Sequence, residues 1–364
     1  MRRLAHIALS IVAVLLISCG NNASQRDTEP IYSPRYAKGF AIERDRATGA
    51  TLLCSRNPWQ GAEGVTLYYD IDTIAPPQRI IAMSSSHTAM LDAVGCAERI
   101  VGVSGCRFIY NPTLCRAIDE GKIEEVGYDS SFDFERIRAL NADVVLLYGV
   151  AGEAKAITDK LDELHIPYIY IGDYLEANPL GKAEWVVALA HLCGVAEQGQ
   201  TLFAEVERRY NALREQRHCS AYRPRVMLNL PYRDTWFMPP KGSYMVQLIE
   251  DAGGEYLYQQ NDTSSSKPIS LEEALLLAMK ADFWLNLGQM ASMEEVCAAA
   301  PRFAKVDAVR FGRLYNNTKR TTESRGSDFW ESGAVRPDII HEDLIKILHY
   351  EAPTDSLYYY TKIE

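Results

Sequence analysis

The residues of this 364-residue chain best suited to chemistry sit in loops that follow apolar runs. In the first half these are Ser84-Ser85-Ser86-His87, Cys106-Arg107-Phe108-Ile109-Tyr110, Tyr128-Asp129 and Tyr148-Gly149. In the second half they are Tyr232-Arg233-Asp234-Thr235-Trp236, Asn286 to Met290, and Asn316 to Arg320. Aromatic rings with scattered arginines suit a large, flat, partly anionic ligand, because rings stack on its faces and guanidinium forks pair with its oxygens. On that chemistry the candidate binding residues are Trp59, Ser85, His87, Arg107, Tyr110, Tyr128, Tyr148, Tyr232, Arg233, Trp236 and Trp330. Each has a plainer reading. Ser84 to Ser86 precede a helix and serve equally well as N-caps. Arg107 and Arg233 are loop arginines of the kind that water solvates, and Trp59 can cap a sheet. His87 reads either as a direct ligand to a metal or as a capping or core residue. Phe329-Trp330 reads either as the rim of a cleft or as a local packing anchor.

A catalytic reading finds little. There is no Gly-x-Ser-x-Gly, Gly-x-x-x-x-Gly-Lys-Ser/Thr, Gly-x-Gly-x-x-Gly or His-Glu-x-x-His, and nothing in the spacing gathers Asp129, Asp133 and His87. The chain is therefore not expected to be an enzyme or to carry a cofactor or resident metal. No two cysteines are spaced Cys-x-x-Cys, which argues against a zinc or redox motif.

The elements that must position these loops show an internal echo. Residues 133–149, DFERIRALNADVVLLYG, and 270–288, SLEEALLLAMKADFWLNLG, each begin with a capping residue and a Glu, run as a short amphipathic helix, and turn at Ala-Asp into an apolar strand. Upstream, Pro77-Gln-Arg-Ile-Ile resembles Pro224-Arg-Val-Met-Leu. A hairpin over 37–55 is followed by strands at 79–84, 99–103, 143–148 and 168–172, alternating with helices near 86–94, 133–141 and 152–164. Such alternation predicts a mostly parallel sheet covered on both faces. Pro179 opens a helix closed by Gly194, and a longer one over 196–218 spans roughly 34 Å at 1.5 Å per residue. The fold class expected is α/β: two Rossmann-like lobes with mostly parallel sheets, joined by a single long helix. The lobes run over 36–176 and 221–350, with a helical segment at 177–220 and a tail at 351–364. A helical strut bends far less readily than extended crossovers, so wide hinge closure is not expected.

The N-terminus reads as a targeting segment. Arg2 and Arg3 precede an apolar run, Ile7 to Ile17, too short to span a membrane, and the run ends at Leu16-Ile17-Ser18-Cys19-Gly20. This looks like a lipoprotein signal at 1–18, with Cys19 acylated and polar residues 19–35 as a tether. Cys54, Cys96, Cys106, Cys115, Cys193, Cys219 and Cys297 then remain, an odd number, in a compartment that permits disulfides. Cys106 with Cys115 would close a small loop, but spacing does not fix the connectivity. A formal net charge of −10 without basic runs argues against nucleic acid.

Pro77-Gln-Arg-Ile-Ile-Ala-Met, LDAVGCAERIVGVSG at 91–105 and DFERIRALNADVVLLYG in that order resemble the substrate-binding lipoproteins of bacterial ABC importers for iron–siderophore complexes, haem and cobalamin. The resemblance covers essentially the whole mature chain. It implies a metal chelate held as cargo between two lobes, and docking on a permease with its ATPase. It also implies a lipid anchor outside the cytoplasm, on the periplasmic face of a membrane or at the cell surface. It places one docking Glu at the start of each echoed helix, here Glu135 and Glu272, with Glu273 a near alternative to the latter. A receptor for a bare zinc or manganese ion is the other reading, although the chain lacks the His-rich loop typical of those importers.

Overall fold

The computed structural model describes residues 26–74, 76–128, 131–149, 155–216 and 222–364. Cys19, Asp129 and Cys219 lie outside them. The chain opens with four strands, β1 (Thr28–Tyr32), β2 (Phe40–Asp45), β3 (Thr51–Arg56) and β4 (Thr66–Asp70), paired antiparallel in that order. The expected hairpin is present as β2 and β3, but it is the middle of a larger sheet. The tether expected over 19–35 is corrected at its end, since residues 28–32 pair with β2 as an edge strand.

The first lobe continues with β5 (Ile80–Ala82), α1 (Ser85–Ala93), β6 (Ile100–Val103), α2 (Pro112–Asp119), β7 (Glu124–Glu125), α3 (Phe134–Ala139), β8 (Val144–Leu147), α4 (Lys155–Glu163) and β9 (Tyr168–Tyr170). Its sheet has the order β7-β6-β5-β8-β9 and is parallel throughout. Every residue of β5, β6 and β8 is buried, which is why these strands read as unbroken apolar runs. The antiparallel sheet is fastened to the β9 edge, where Ser55 donates to the Tyr170 carbonyl at 3.0 Å and the Tyr170 N–H donates to the Tyr69 hydroxyl at 3.2 Å.

Two helices follow, α5 (Pro179–Leu192) and α6 (Ala196–Gln216). Helix α5 is mostly apolar and buried nearly throughout, with Lys182 and Glu184 each hydrogen-bonded, as suits a helix on which both lobes pack. It touches β2 and α1 on one side and two helices of the second lobe, α7 (Tyr244–Asp251) and α11 (Pro337–Tyr350), on the other. Helix α6 lies close along it because Gly199 carries no side chain: a Cβ there would sit 2.3 Å from the Ala190 methyl. Among the described residues, α6 is the element that leads from the first lobe toward the second.

The second lobe comprises β10 (Arg225–Leu228), β11 (Thr235–Met238), α7 (Tyr244–Asp251), β12 (Glu255–Tyr256), β13 (Lys267–Ser270), α8 (Leu271–Ala278), β14 (Phe283–Leu285), α9 (Met293–Ala299), α10 (Asp307–Arg310), β15 (Leu314–Asn316), α11 (Pro337–Tyr350) and β16 (Thr361–Lys362). Its sheet has the order β12-β10-β14-β15-β16, parallel except for β16, and β11 pairs with β13 separately. The tail expected over 351–364 is therefore part of this lobe. The carboxylate of Asp343, on α11, accepts the N–H groups of Tyr358, Tyr359 and Tyr360, and β16 completes the sheet edge.

The echoed Ala-Asp has a physical cause. The carboxylate of Asp143 accepts the N–H groups of Gln78 and Arg79 at 2.7 and 2.9 Å, fixing where β5 enters the sheet beside β8. Asp282 does the same for the Arg225 N–H at 2.8 Å and pairs with its guanidinium, fixing β10 beside β14. The upstream and downstream halves of the repeat are thus one interaction, made once per lobe. One apolar core runs through both lobes and includes Trp185 of α5, and a second cluster, with Ile81, Val101 and Val145, lies in the first lobe.

Candidate functional site

Beyond the carboxyl ends of β5, β6 and β8 the lobes enclose a concavity of about 320 Å³, within the range of ligand sites. The first lobe lines it with Met83, Ser84, Ser85, Ser104, Phe108, Tyr128, Tyr148, Asp173 and Tyr174, and the second with Arg325, Ser327 and Trp330. Ser84 caps α1, its Oγ accepting the Ser86 N–H, and this leaves Ser85 at the cleft wall. The rings of Phe108 and Tyr128 stand 5.9 Å apart, and Trp330 is 55% exposed at the opposite rim. Phe329, buried against Tyr359 and Tyr360, is the anchor that holds Trp330 in place. The two readings of this dipeptide are thus divided between its two residues. The hydroxyl of Ser104 is buried at the wall with no hydrogen-bond partner among the described residues. Among the described residues the lining thus sets five aromatic side chains and one arginine, Arg325, around the same space.

The floor is a buried charge cluster. Asp173 accepts from Lys182 Nζ at 2.7 Å, and His87 Nε2 stands 3.5 Å from its other oxygen. Burial alone would push the Asp173 carboxyl up, but Lys182 and His87 together hold it well below the usual carboxylate range. The ammonium of Lys182 lies 5.9 Å from the ring of Tyr244, which joins the second lobe to the cluster.

Four of the expected residues, Ser85, Tyr128, Tyr148 and Trp330, come together in the cleft. Two expectations are corrected. Trp236 is fully buried, donates its indole N–H to the Leu228 carbonyl at 2.9 Å, and packs on Trp284 and Phe303, so it presents no face to a ligand. His87 is also fully enclosed, its Nε2 3.5 Å from Asp173, and it is not among the residues that line the cleft. The other five lie outside the cleft. Trp59 packs on Tyr170 beside a neighbouring groove, Arg107 covers its own neighbour Phe108, and Tyr110 lies under Arg320. Tyr232 and Arg233 form an exposed turn before β11, the guanidinium 5.3 Å from the ring. Phe108, Ser104, Asp173, Tyr174 and Arg325 were missed. Phe108 and Arg325 each stand within a stretch whose neighbours drew notice, while Asp173 and Tyr174 follow a strand end that carries no other signal.

Beside the cleft the lobes are clasped. Glu331 is 1% exposed and accepts the N–H groups of Tyr110 at 2.6 Å and Asn111 at 3.0 Å, while Gly326 lies so close to the Ile109 carbonyl that a Cβ would fall 2.4 Å from its oxygen. Burial pushes the Glu331 carboxyl up to about 7 against the pull of the two N–H donors, with Asp328 and Asp92 adding to the rise. A carboxyl raised in the folded state contributes stability that is full below about pH 4.5 and lost as the pH rises through about 7. Urea unfolding should therefore show the protein about 2–3 kcal/mol less stable at pH 8 than at pH 5 on this account. Glu331→Gln should flatten that difference, and an unchanged slope would remove Glu331 from the explanation.

A sequence profile of periplasmic binding proteins matches residues 80–321. This chain belongs to that family. Its members are substrate-binding transport proteins, not enzymes. The chain is 27% identical over 288 residues to an uncharacterized lipoprotein of Methanocaldococcus jannaschii, a match covering 76% of this chain and 66% of that one. It is 26% identical over 149 residues to an uncharacterized ABC transporter substrate-binding lipoprotein of Bacillus subtilis, covering 41% of this chain and 38% of the other. A periplasmic haem-binding protein of Pseudomonas aeruginosa shares the fold, with a TM-score of 0.61, 17% identity, and 79% of this chain and 98% of that one covered. The two-lobed α/β fold expected from the echo is the fold of this family.

Proposed function

We propose that this periplasmic binding protein captures a metal chelate (an iron–siderophore complex, haem or cobalamin) in the cleft between its lobes and delivers it to an ABC permease and its ATPase. The observation that carries this reading is the cleft lining of Phe108, Tyr128, Tyr148, Tyr174 and Trp330 around Arg325. A bare cation needs oxygen, nitrogen or sulfur donors converging on one point. Here Asp173 is engaged by Lys182, and the rest of the described lining is aromatic residues and serines with one guanidinium, that of Arg325. Such a surface suits a planar, partly anionic organic shell around a metal. The protein works outside the cytoplasm on a lipid anchor at Cys19, in keeping with the lipoprotein names of its relatives.

Two acidic residues fit the permease contact. Glu135 and Glu272 are exposed in the first turns of α3 and α8, where the helix dipole favours a carboxylate, and each helix is capped by the residue just before it, Asp133 or Ser270. Glu272 pairs with Arg302 at 3.0 Å, both largely exposed, a contact worth little and easily exchanged for a partner's arginine.

The test is titration of the purified mature protein with haem, cobalamin and ferric siderophores, following tryptophan quenching and the visible spectrum. One chelate class should bind at micromolar concentration or better, and Trp330→Ala should weaken it about 10- to 100-fold. Binding of zinc or manganese with no chelate bound would overturn the reading in favour of a free-cation receptor.

A further inference from the structure

Two buried thiols meet at the base of the first lobe. Helix α1 begins at the cleft with Ser85 and ends before Gly95, and Cys96 follows, 2% exposed. Cys193, 1% exposed, is the residue that ends α5. Their surroundings are already joined: α1 packs along α5, and the Arg99 guanidinium, three residues past Cys96, donates to the Cys193 carbonyl at 2.9 Å. Both are free thiols in this structure: the Cys96 thiol donates to the Val94 carbonyl at 3.7 Å, with the Cys193 thiol as its neighbour. The remaining described cysteines are engaged elsewhere. Cys106 faces Glu125 with Cys115 nearby, Cys115 donates to the Ile109 carbonyl at 3.5 Å, Cys54 lies near Glu43, and Cys297 packs at the edge of the core.

We propose that Cys96 and Cys193 are joined by a disulfide bond in the exported protein. Each thiol loses its proton, one S–S bond forms, and two electrons pass to a protein dithiol–disulfide oxidant of the extracytoplasmic compartment, whose own disulfide becomes a dithiol. This rests on the location outside the cytoplasm and on no property of the cleft. The bond forms while the chain is still open. In the folded protein burial pushes the Cys193 thiol up to about 12, with Cys96 beside it adding to the rise, and a thiol that does not ionise does not attack. Once made, the bond closes a loop of about 100 residues, and a cross-link restricts the unfolded chain more the longer the loop it closes. It fastens the first lobe to the central helix at the end of α1 remote from the cleft.

The experiment uses the full mature protein recovered from the extracytoplasmic fraction. The protein is unfolded in guanidinium with iodoacetamide and no reductant, digested, and mapped by mass spectrometry. The peptides carrying Cys96 and Cys193 should appear as one species, two hydrogens lighter than their sum, that separates only after reduction. Recovery of both cysteines carbamidomethylated would overturn the proposal, as would either one linked to a different cysteine. In Cys193→Ala the Cys96 peptide should become fully alkylated under the same conditions, a readout that does not require the variant to fold. A Cys96 that stays blocked in that variant would count against the pairing equally.

Discussion

Glu135→Lys combined with Glu272→Lys is expected to abolish uptake of the bound chelate while leaving its affinity for the purified protein within about twofold. Both side chains project into solvent from first helical turns, and neither lines the cleft, so the ligand does not sense the change. The permease does. If arginines face these positions, each reversal places like charges together at a cost of several kcal/mol, and docking falls by about 100-fold or more. Transport into vesicles carrying the importer and ligand titration of the same protein measure the two effects separately. Either single reversal should give an intermediate loss. A double variant that transports normally would remove both residues from the contact, whatever the ligand proves to be.

The largest expected loss of stability lies at Glu184. This fully buried carboxylate of α5 accepts the N–H groups of Arg35, Tyr36 and Ala37, each at 2.8 Å, and the Tyr32 hydroxyl at 2.8 Å. Glu184→Ala strands these donors in the interior. Each unpaired buried donor costs about 1–3 kcal/mol, and partial rescue by water brings the sum to about 3–5 kcal/mol. Urea denaturation should show the midpoint falling accordingly, and Glu184→Gln, which keeps one acceptor oxygen, should lose less. A change below about 1 kcal/mol for the alanine variant would mean that residues 35–37 find other partners.

The architecture was legible because it is written in repeated local chemistry. The strands that become β5, β8, β10 and β14 are apolar runs, and capping residues with a Glu mark the starts of α3 and α8. The repeated Asp was visible as a pattern, but its role as the lock on the neighbouring strand appears only once Asp143 and Asp282 are seen against Arg79 and Arg225. The site was legible in part. Adjacent Trp236 and Phe237 are equally apolar, and only the pairing of β11 with β13 turns the tryptophan inward and the phenylalanine outward. His87 could not be assigned from its neighbours because Asp173, its partner, lies far along the chain and arrives through the fold. Arg325 stands among serine and glycine, where an arginine is ordinarily solvated, and it reaches the cleft on a backbone with a φ of 75°.

The burial of α5 between the lobes has an energetic consequence for the last step of transport. A receptor whose halves share one core and are clasped at Glu331 stores little energy in being closed, so relaxation of its own shape does little to expel the cargo. A micromolar complex holds its ligand by about 8 kcal/mol, and that work must come from outside the molecule. On this reading the membrane partner does more than recognise the loaded form: it must disturb the walls of the cleft, with the nucleotide-driven stroke as the source of the force.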